Sequence, residues 1–305
     1  MNYVFHLMVY LSIYTILALS LNLIVGYMGR LNLAHAGFVA VGAYAYSIAN
    51  VALNWTFLPA MLLAIACAVL LSLMLSLPSW RFRDDFFIMI TLAVQALIYG
   101  VIHNWSSADA AIGSWQNLTN GSYGIAGISK PNIAGITFDT PGLLFVLSGV
   151  IAALCVATIF LLTRSPWGRL LTCARDDELA LRGLGKGLRT LKVQAFALSC
   201  GFAAIGGVLL ASHITFVDST FASLDESILL ISMLCVGGMG NFRGPVVGAL
   251  LLLLLQDVLI PEVLRIAPPF FQADAANYNL LAYGLLLIFI VHFRPQGIAG
   301  EYRME

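Results

Sequence analysis

Charge is scarce in this chain, and it gathers in one place. Lys, Arg, Asp and Glu make up 10% of the 305 residues, whereas apolar types make up 60%. Eight of the 30 charged residues fall in 172–192, TCARDDELALRGLGKGLRTLK, five of them basic and three acidic. Mixed signs at this density suit ion pairing and protein recognition. An anionic lipid surface would select lysine and arginine alone. A second set, Asn22, Asn32, His35, Thr91 and Gln95, lies in or beside strongly apolar stretches. Lipid offers these groups no hydrogen-bond partner, so each must bond to another helix or line a wet path. His35 could act as a base, but no second titratable group stands near it in the sequence.

Other chemistry is excluded by what the sequence lacks. None of the three lysines is followed by Ser or Thr, so there is no Walker A loop. Gly-x-Ser-x-Gly and His-Glu-x-x-His are absent too. The five cysteines (Cys67, Cys155, Cys173, Cys200, Cys235) have neither metal nor redox spacing and read as small core residues. No metal or cofactor is expected, and the chain is not expected to be an enzyme. Asp257 reads as the single acid inside a span, near its outer end, which argues against an ion-coupled carrier.

The elements that position these residues follow from hydropathy. A mean hydropathy of +0.93 lies far outside the soluble range. A bilayer core needs roughly 20 apolar residues per helix, and such segments recur at 4–26, 33–50, 56–77, 86–103, 143–163, 193–212, 226–239, 245–260 and 279–292. The expected fold is an all-α polytopic bundle of about nine spans, eight to ten, forming a single domain over 1–305. With the N-terminus outside, 13 of the 15 basic residues face inward, leaving Lys130 and Arg265 outside. The loop 164–192 and the C-terminus are then cytoplasmic, and 104–142 is external.

Within the charged loop, Ser165 and Pro166 suit a helix start. Trp167, Leu170, Leu171, Ala174 and Leu181 share one face, opposite Arg169, Thr172, Arg175, Asp176 and Arg182. This predicts one amphipathic helix over 166–182, with Glu178 misfitting at the apolar edge. The glycines of GLGKG then break it before the next span. Elsewhere, VGYMGRLNLAHAGF (25–38) and VGGMGNFRGPVVGA (236–249) both open with Val-Gly-x-Met-Gly, at the cytoplasmic end of a span. Interrupted helices and internal repeats are common near the substrate path of transporters. Close packing through small residues would require the same glycines. The external loop, with two tryptophans and six glycines, suits a docking surface or an interfacial lid.

Six stretches in order carry a family resemblance: LNLIVGYMGRLNLAHAGFVAVGAY (21–44), FRDDFFIMITLA (82–93), TNGSYGIAGI (119–128), RSPWGRLLTCARDDELALRGLG (164–185), VGGMGNFRGPVVGA (236–249) and FRPQGIAG (293–300). The chain resembles the M-type permease subunits of ABC importers for branched-chain amino acids. The resemblance implies that 166–185 is a coupling loop fitting a cleft on an ATPase. Arg175, Asp176, Asp177, Glu178, Ala180 and Gly185 stand at its motif positions, with Arg182 beside them. It further implies an H-type permease partner, two cytoplasmic ABC ATPases, a periplasmic binding protein at the external loop, and a bacterial inner-membrane location. No nucleic-acid partner is expected. Departures from the family pattern are Asn32 and Ala34 in place of serine and glycine before His35, Leu181 in place of alanine, and Arg243 in place of an apolar residue. The first two touch the expected path, so the substrate stays open among branched-chain amino acids, urea and small aromatic or aliphatic acids. From other classes, a passive facilitator has no use for a docking helix, and an intramembrane enzyme lacks a second titratable group.

Overall fold

A computed structural model describes residues 2–79, 84–107, 110–133, 135–266, 281, 284–289, 292–294 and 296–299. Helices dominate: α1 (Asn2–Asn22), α2 (His35–Val51), α3 (Phe57–Ser79), α4 (Asp84–Asn104), α5 (Pro141–Arg164), α6 (Pro166–Asp176), α7 (Glu178–Gly183), α8 (Leu188–Ile214), α9 (Leu224–Gly237), α10 (Arg243–Leu254) and α11 (Ile260–Ile266). The outer loops add two ribbons of two-residue strands. β1 (Ile125–Ala126) pairs antiparallel with β4 (Phe216–Val217), and β2 (Asn132–Ile133) with β3 (Ile136–Thr137).

Among the described residues six helical segments are long and apolar enough to cross a membrane: Tyr3–Tyr27, Phe57–Ser76, Phe86–Asn104, Pro141–Arg164, Leu188–Ile214 and Arg243–Glu262. These six are fewer than the nine expected spans. Two of the expected spans fold as shorter helices, α2 with 17 residues and α9 with 14. At 1.5 Å per residue they reach about 25 Å and 21 Å, against a hydrocarbon core of about 30 Å. Much of the expected span 279–292 lies outside the described residues, as do Arg81, Arg83 and Arg303.

The core is organised around α8, which packs on α1, α2 and α3. Apolar burial gains nothing between helices surrounded by lipid, so the contacts rely on close approach through small residues. Gly207 lies against the Val39 carbonyl of α2, Gly42 of α2 against the backbone of Ala204, and Gly206 against Leu17 of α1. The α9–α10 pair closes similarly, with Gly248 against the Met233 carbonyl and Gly237 against that of Gly244. At each contact an added Cβ would fall within 2.5 Å of a neighbour; at Gly207, Gly42, Gly248 and Gly237 that neighbour is backbone, so these four positions admit only glycine.

The short helices are short because both begin inside the protein. The chain after α1 turns inward through 28–34 before α2 starts. The chain after α8 turns through β4 and a 3-10 turn, Ser219–Ala222, before α9 starts. The two N-termini meet beside the middle of α4, where Gln95 contacts both.

Candidate functional site

Three groups of residues form the candidate machinery: the charged loop, a glycine joint beneath it, and the junction of the two helix starts.

In the loop, Ser165 caps α6: its hydroxyl accepts from Gly168 N at 3.4 Å and donates to the Leu162 carbonyl at 2.6 Å. The single helix expected over 166–182 is broken at Asp177, which is extended (φ −153°, ψ 105°). The Asp177 carboxylate accepts from Leu179 N at 2.7 Å and Ala180 N at 3.1 Å, starting α7. Aspartate competes for backbone donors in this way, which is why it favours caps over helix interiors. Leu171, Ala174 and Leu181 are buried, as the apolar face requires.

Two charged residues turn inward instead of facing solvent. Glu178, the misfit of the amphipathic pattern, ion-pairs with Lys192 of α8, with Arg30 at 3.6 Å and with Arg182 at 3.8 Å. Lys192 and Arg30 are both buried. Arg175, expected on the polar face, has a side chain only 18% exposed. Its Nη1 donates to the Gly26 carbonyl at 2.7 Å, and its Nε to Asp176 at 3.1 Å. What remains outward is Asp176, Asp177, Leu179, Ala180, Arg182, Leu184 and Gly185. Leu179 and Leu184 are 75% and 69% exposed, large values for leucines.

The glycine joint explains the paired Val-Gly-x-Met-Gly motifs. The first ends the helical run of α1, which continues as a π turn through Tyr27. The second ends α9 at Gly237. The fifth residues, Gly29 and Gly240, both adopt left-handed backbone, φ +74° and +78°. The Arg175 side chain threads between them: a Cβ on Gly29 would stand 2.5 Å from its Cγ, and one on Gly240 3.0 Å from Nη1. Asn22 fastens the two motifs together, accepting from Gly240 N at 3.1 Å and donating to the Asn241 carbonyl at 2.9 Å. Gly26 leaves room for this, since a Cβ there would meet Asn22 Oδ1 and Gly240 N. From the far end of the chain, Ile298 N and Ala299 N donate to the Val236 and Gly237 carbonyls, each at 2.9 Å.

The helix junction gathers the other four polar residues. The first backbone donors of a helix have no partner within it, and those of α2 are buried. Asn32 Oδ1 accepts from Ala34 N at 3.0 Å, Ser227 of α9 from Ala36 N at 3.3 Å, and Gln95 Oε1 from Gly37 N at 2.8 Å. The Gln95 amide also donates to the Ala222 and Ser223 carbonyls, at 2.7 and 3.0 Å, where α9 begins. Thr91 accepts from Leu33 N at 3.2 Å. His35 Nε2 pairs with Ser20 Oγ at 2.9 Å, and Ser199 of α8 donates to the Ser20 carbonyl at 2.6 Å. Asn32 Nδ2 and His35 Nδ1 are buried without a partner. No Lys, Arg, Asp or Glu appears in these bonds, so the junction is held by neutral groups.

The structure thus brings Asn32, His35, Thr91 and Gln95 into one network and places Asn22 apart, at the glycine joint. Sequence reading missed Lys192 and Arg30 as partners of Glu178; the misplaced charge on an apolar edge was the signal for them. It also missed Ser20, Ser199 and Ser227, which serine abundance hides. The reading of Asp257 as the sole acid within a span needs correction. The first turn of α9 carries Asp225 and Glu226, and Ser223 caps it by accepting from Glu226 N at 3.3 Å.

The family model described as branched-chain amino acid transport system, permease component, matches residues 3–291. The chain is 28% identical to the high-affinity branched-chain amino acid transport system permease protein LivM of Escherichia coli K12, over 96% of this chain and 69% of that one. It is 25% identical to the probable branched-chain amino acid transport permease protein LivM of Methanocaldococcus jannaschii, over 97% and 92%. It is 26% identical to the autoinducer 2 import system permease protein LsrC of Salmonella typhi, over 68% and 54%. No solved structure matches. Nearly the whole chain, glycine joint and charged loop included, falls within the family match, and its apolar helices make it a multi-pass membrane protein: it belongs to the family of branched-chain amino acid transport system permease components.

Proposed function

We propose that this chain is one permease subunit of an ATP-driven importer for branched-chain amino acids in a bacterial inner membrane, with its C-terminus cytoplasmic, working by alternating access. The observation that supports this most is the two-sided charged loop. Its outward face presents Leu179 and Leu184 with Ala180, Gly185, Asp176, Asp177 and Arg182, an apolar pair ringed by polar groups, as suits a cleft on a cytoplasmic ATPase. Its inward face pins Arg175 and Glu178 into the membrane body. A push on the first face is therefore delivered to the glycine joint and to α8. A second permease completes the path, and nine crossings by this chain, with α2 and α9 as the short ones, fit the charge distribution.

In this reading Asn22 works at the hinge, while Asn32, His35, Thr91 and Gln95 form the inner closure of the path. The outer loop receives the binding protein: Trp115 and Tyr123 are 80% and 82% exposed there. The test is recovery of the complex from native membranes in mild detergent. The intact chain brings down two ATPases and a second permease; the L179D/L184D variant keeps the permease but loses the ATPases and uptake. Unchanged uptake in that variant would sink the proposal, and recovery of the chain alone would favour a facilitator.

A further inference from the structure

A cavity of about 410 Å³ opens among α1, α2, α8, α9 and α10, and none of Asn22, Asn32, His35, Thr91 and Gln95 lines it. Its rim is exposed and polar, with Tyr3, His6 and Thr220. Its floor is buried and aliphatic, with Leu17, Val39, Leu210, Leu230 and Leu253. Between rim and floor stand two carboxylates from different helices, Glu226 and Asp257, together with Tyr10 and Tyr14. The Tyr14 hydroxyl bonds to Glu226. Tyr10 lines the same cavity, and its ring stands 6.4 Å from that of Tyr14. Tyr3 holds the Asp257 backbone, donating to its carbonyl at 2.7 Å. No lysine or arginine is among the residues lining the cavity.

We propose that this cavity is a binding site for a primary ammonium carried on a short branched aliphatic chain, the two ends of a branched-chain amino acid. The ammonium sits at the acidic waist between Glu226 and Asp257, beside the tyrosine rings, where a cation gains from both charge and ring faces. The aliphatic group enters the floor. The carboxylate points to the wet rim, away from the acids, toward His6. A cavity of this volume is in the range of small-molecule sites. Two acids with no lysine or arginine among the described residues lining the cavity select for a positive group and reject the deaminated acid of the same shape. The neighbouring floor residue Ala36 donates its backbone N–H to Ser227, at the helix junction, so the site lies directly outside the network proposed as inner closure. This inference rests on the importer reading and names the chemistry its path selects.

The ammonium could belong to a free amino acid or to a phosphatidylethanolamine headgroup. The test uses the assembled complex, purified without its binding protein, in nanodiscs of phosphatidylglycerol alone, with radiolabelled leucine in an equilibrium binding assay. Saturable binding is expected, weakened at least tenfold by E226Q and by D257N and largely retained in E226D. The deaminated analogue 4-methylpentanoate should fail to compete. No saturable leucine binding by an assembled, ATP-hydrolysing complex, or equal binding by E226Q and D257N, would overturn the cavity site and leave the importer reading standing. Displacement of leucine by phosphatidylethanolamine at membrane densities would assign the cavity to lipid and overturn it also. Failure of the chain to bring down any ATPase would instead remove the reading on which the site depends.

Discussion

Two of the contacts between the α1–α2 and α9–α10 regions are built from different materials. Beneath the charged loop they meet through glycine backbone and one amide, that of Asn22. Gly26, Gly29 and Gly240 provide the surfaces, and the one charged group admitted, Arg175, comes from the loop on which an ATPase would press. In the interior they meet through neutral side chains, Gln95, Asn32 and Ser227, which satisfy the donors of a buried helix start. A glycine surface has no rotamers to fix and can slide once its inserted arginine moves and the Asn22 amide lets go. An amide that bonds three backbone groups at once has a single good geometry. The comparison suggests a movable joint below a fixed one, with the lever attached to the movable joint.

The largest effect should come from filling the joint. Gly26→Val places atoms where Asn22 and the Gly240 backbone stand, and overpacking of about 3 kcal/mol is expected. Thermal unfolding in detergent should show a marked fall in Tm, with uptake at background. Wild-type stability would mean that the joint is open in the resting protein, and the contrast would dissolve. Next is Gln95→Ala, which strands the Gly37 donor at about 1–3 kcal/mol for each buried group left unpaired. Here Tm should drop while the ATPases still co-purify, because the fixed joint lies far from the loop.

Glu178→Gln tests the lever. With its charge gone, buried Lys192 and Arg30 lose their common partner. ATP hydrolysis should continue while leucine uptake falls several-fold, giving a raised ratio of ATP consumed to substrate moved. Equal losses in both activities would assign Glu178 to docking and not to transmission. The smallest effect is that of Asp177→Ala, which removes the cap of α7 for about 1 kcal/mol. It should loosen the loop, seen as faster proteolysis after Arg182, and leave the joint intact.

Hydropathy revealed most of the fold because lipid enforces it: a span must be long, apolar and internally bonded. That rule fails for α2 and α9. Their starts are sheltered by protein, so they need not reach across the core, and nothing in a hydropathy run marks where a helix begins inside one. The site was legible in kind. Polar residues in greasy stretches had to find partners, and Asn22, Asn32, His35, Thr91 and Gln95 do. Who the partners are was not legible, because they are mostly backbone groups, and Gln95 finds the Ala222 and Ser223 carbonyls more than 120 positions away. Arg175 was misplaced for a related reason. Helical periodicity assigns a face, but a long flexible side chain can reach around it to a carbonyl.

The backbone bonds from Ile298 and Ala299 to the second glycine motif also bear on how the protein is made. The first half of the joint leaves the ribosome with Gly26, yet the strap that ties its other half arrives more than 250 residues later. Until then the Val236 and Gly237 carbonyls lack these partners, and the α9–α10 turn is only half tied. A chain cut short before this strap would keep its hydrophobic helices and still present an unfinished joint.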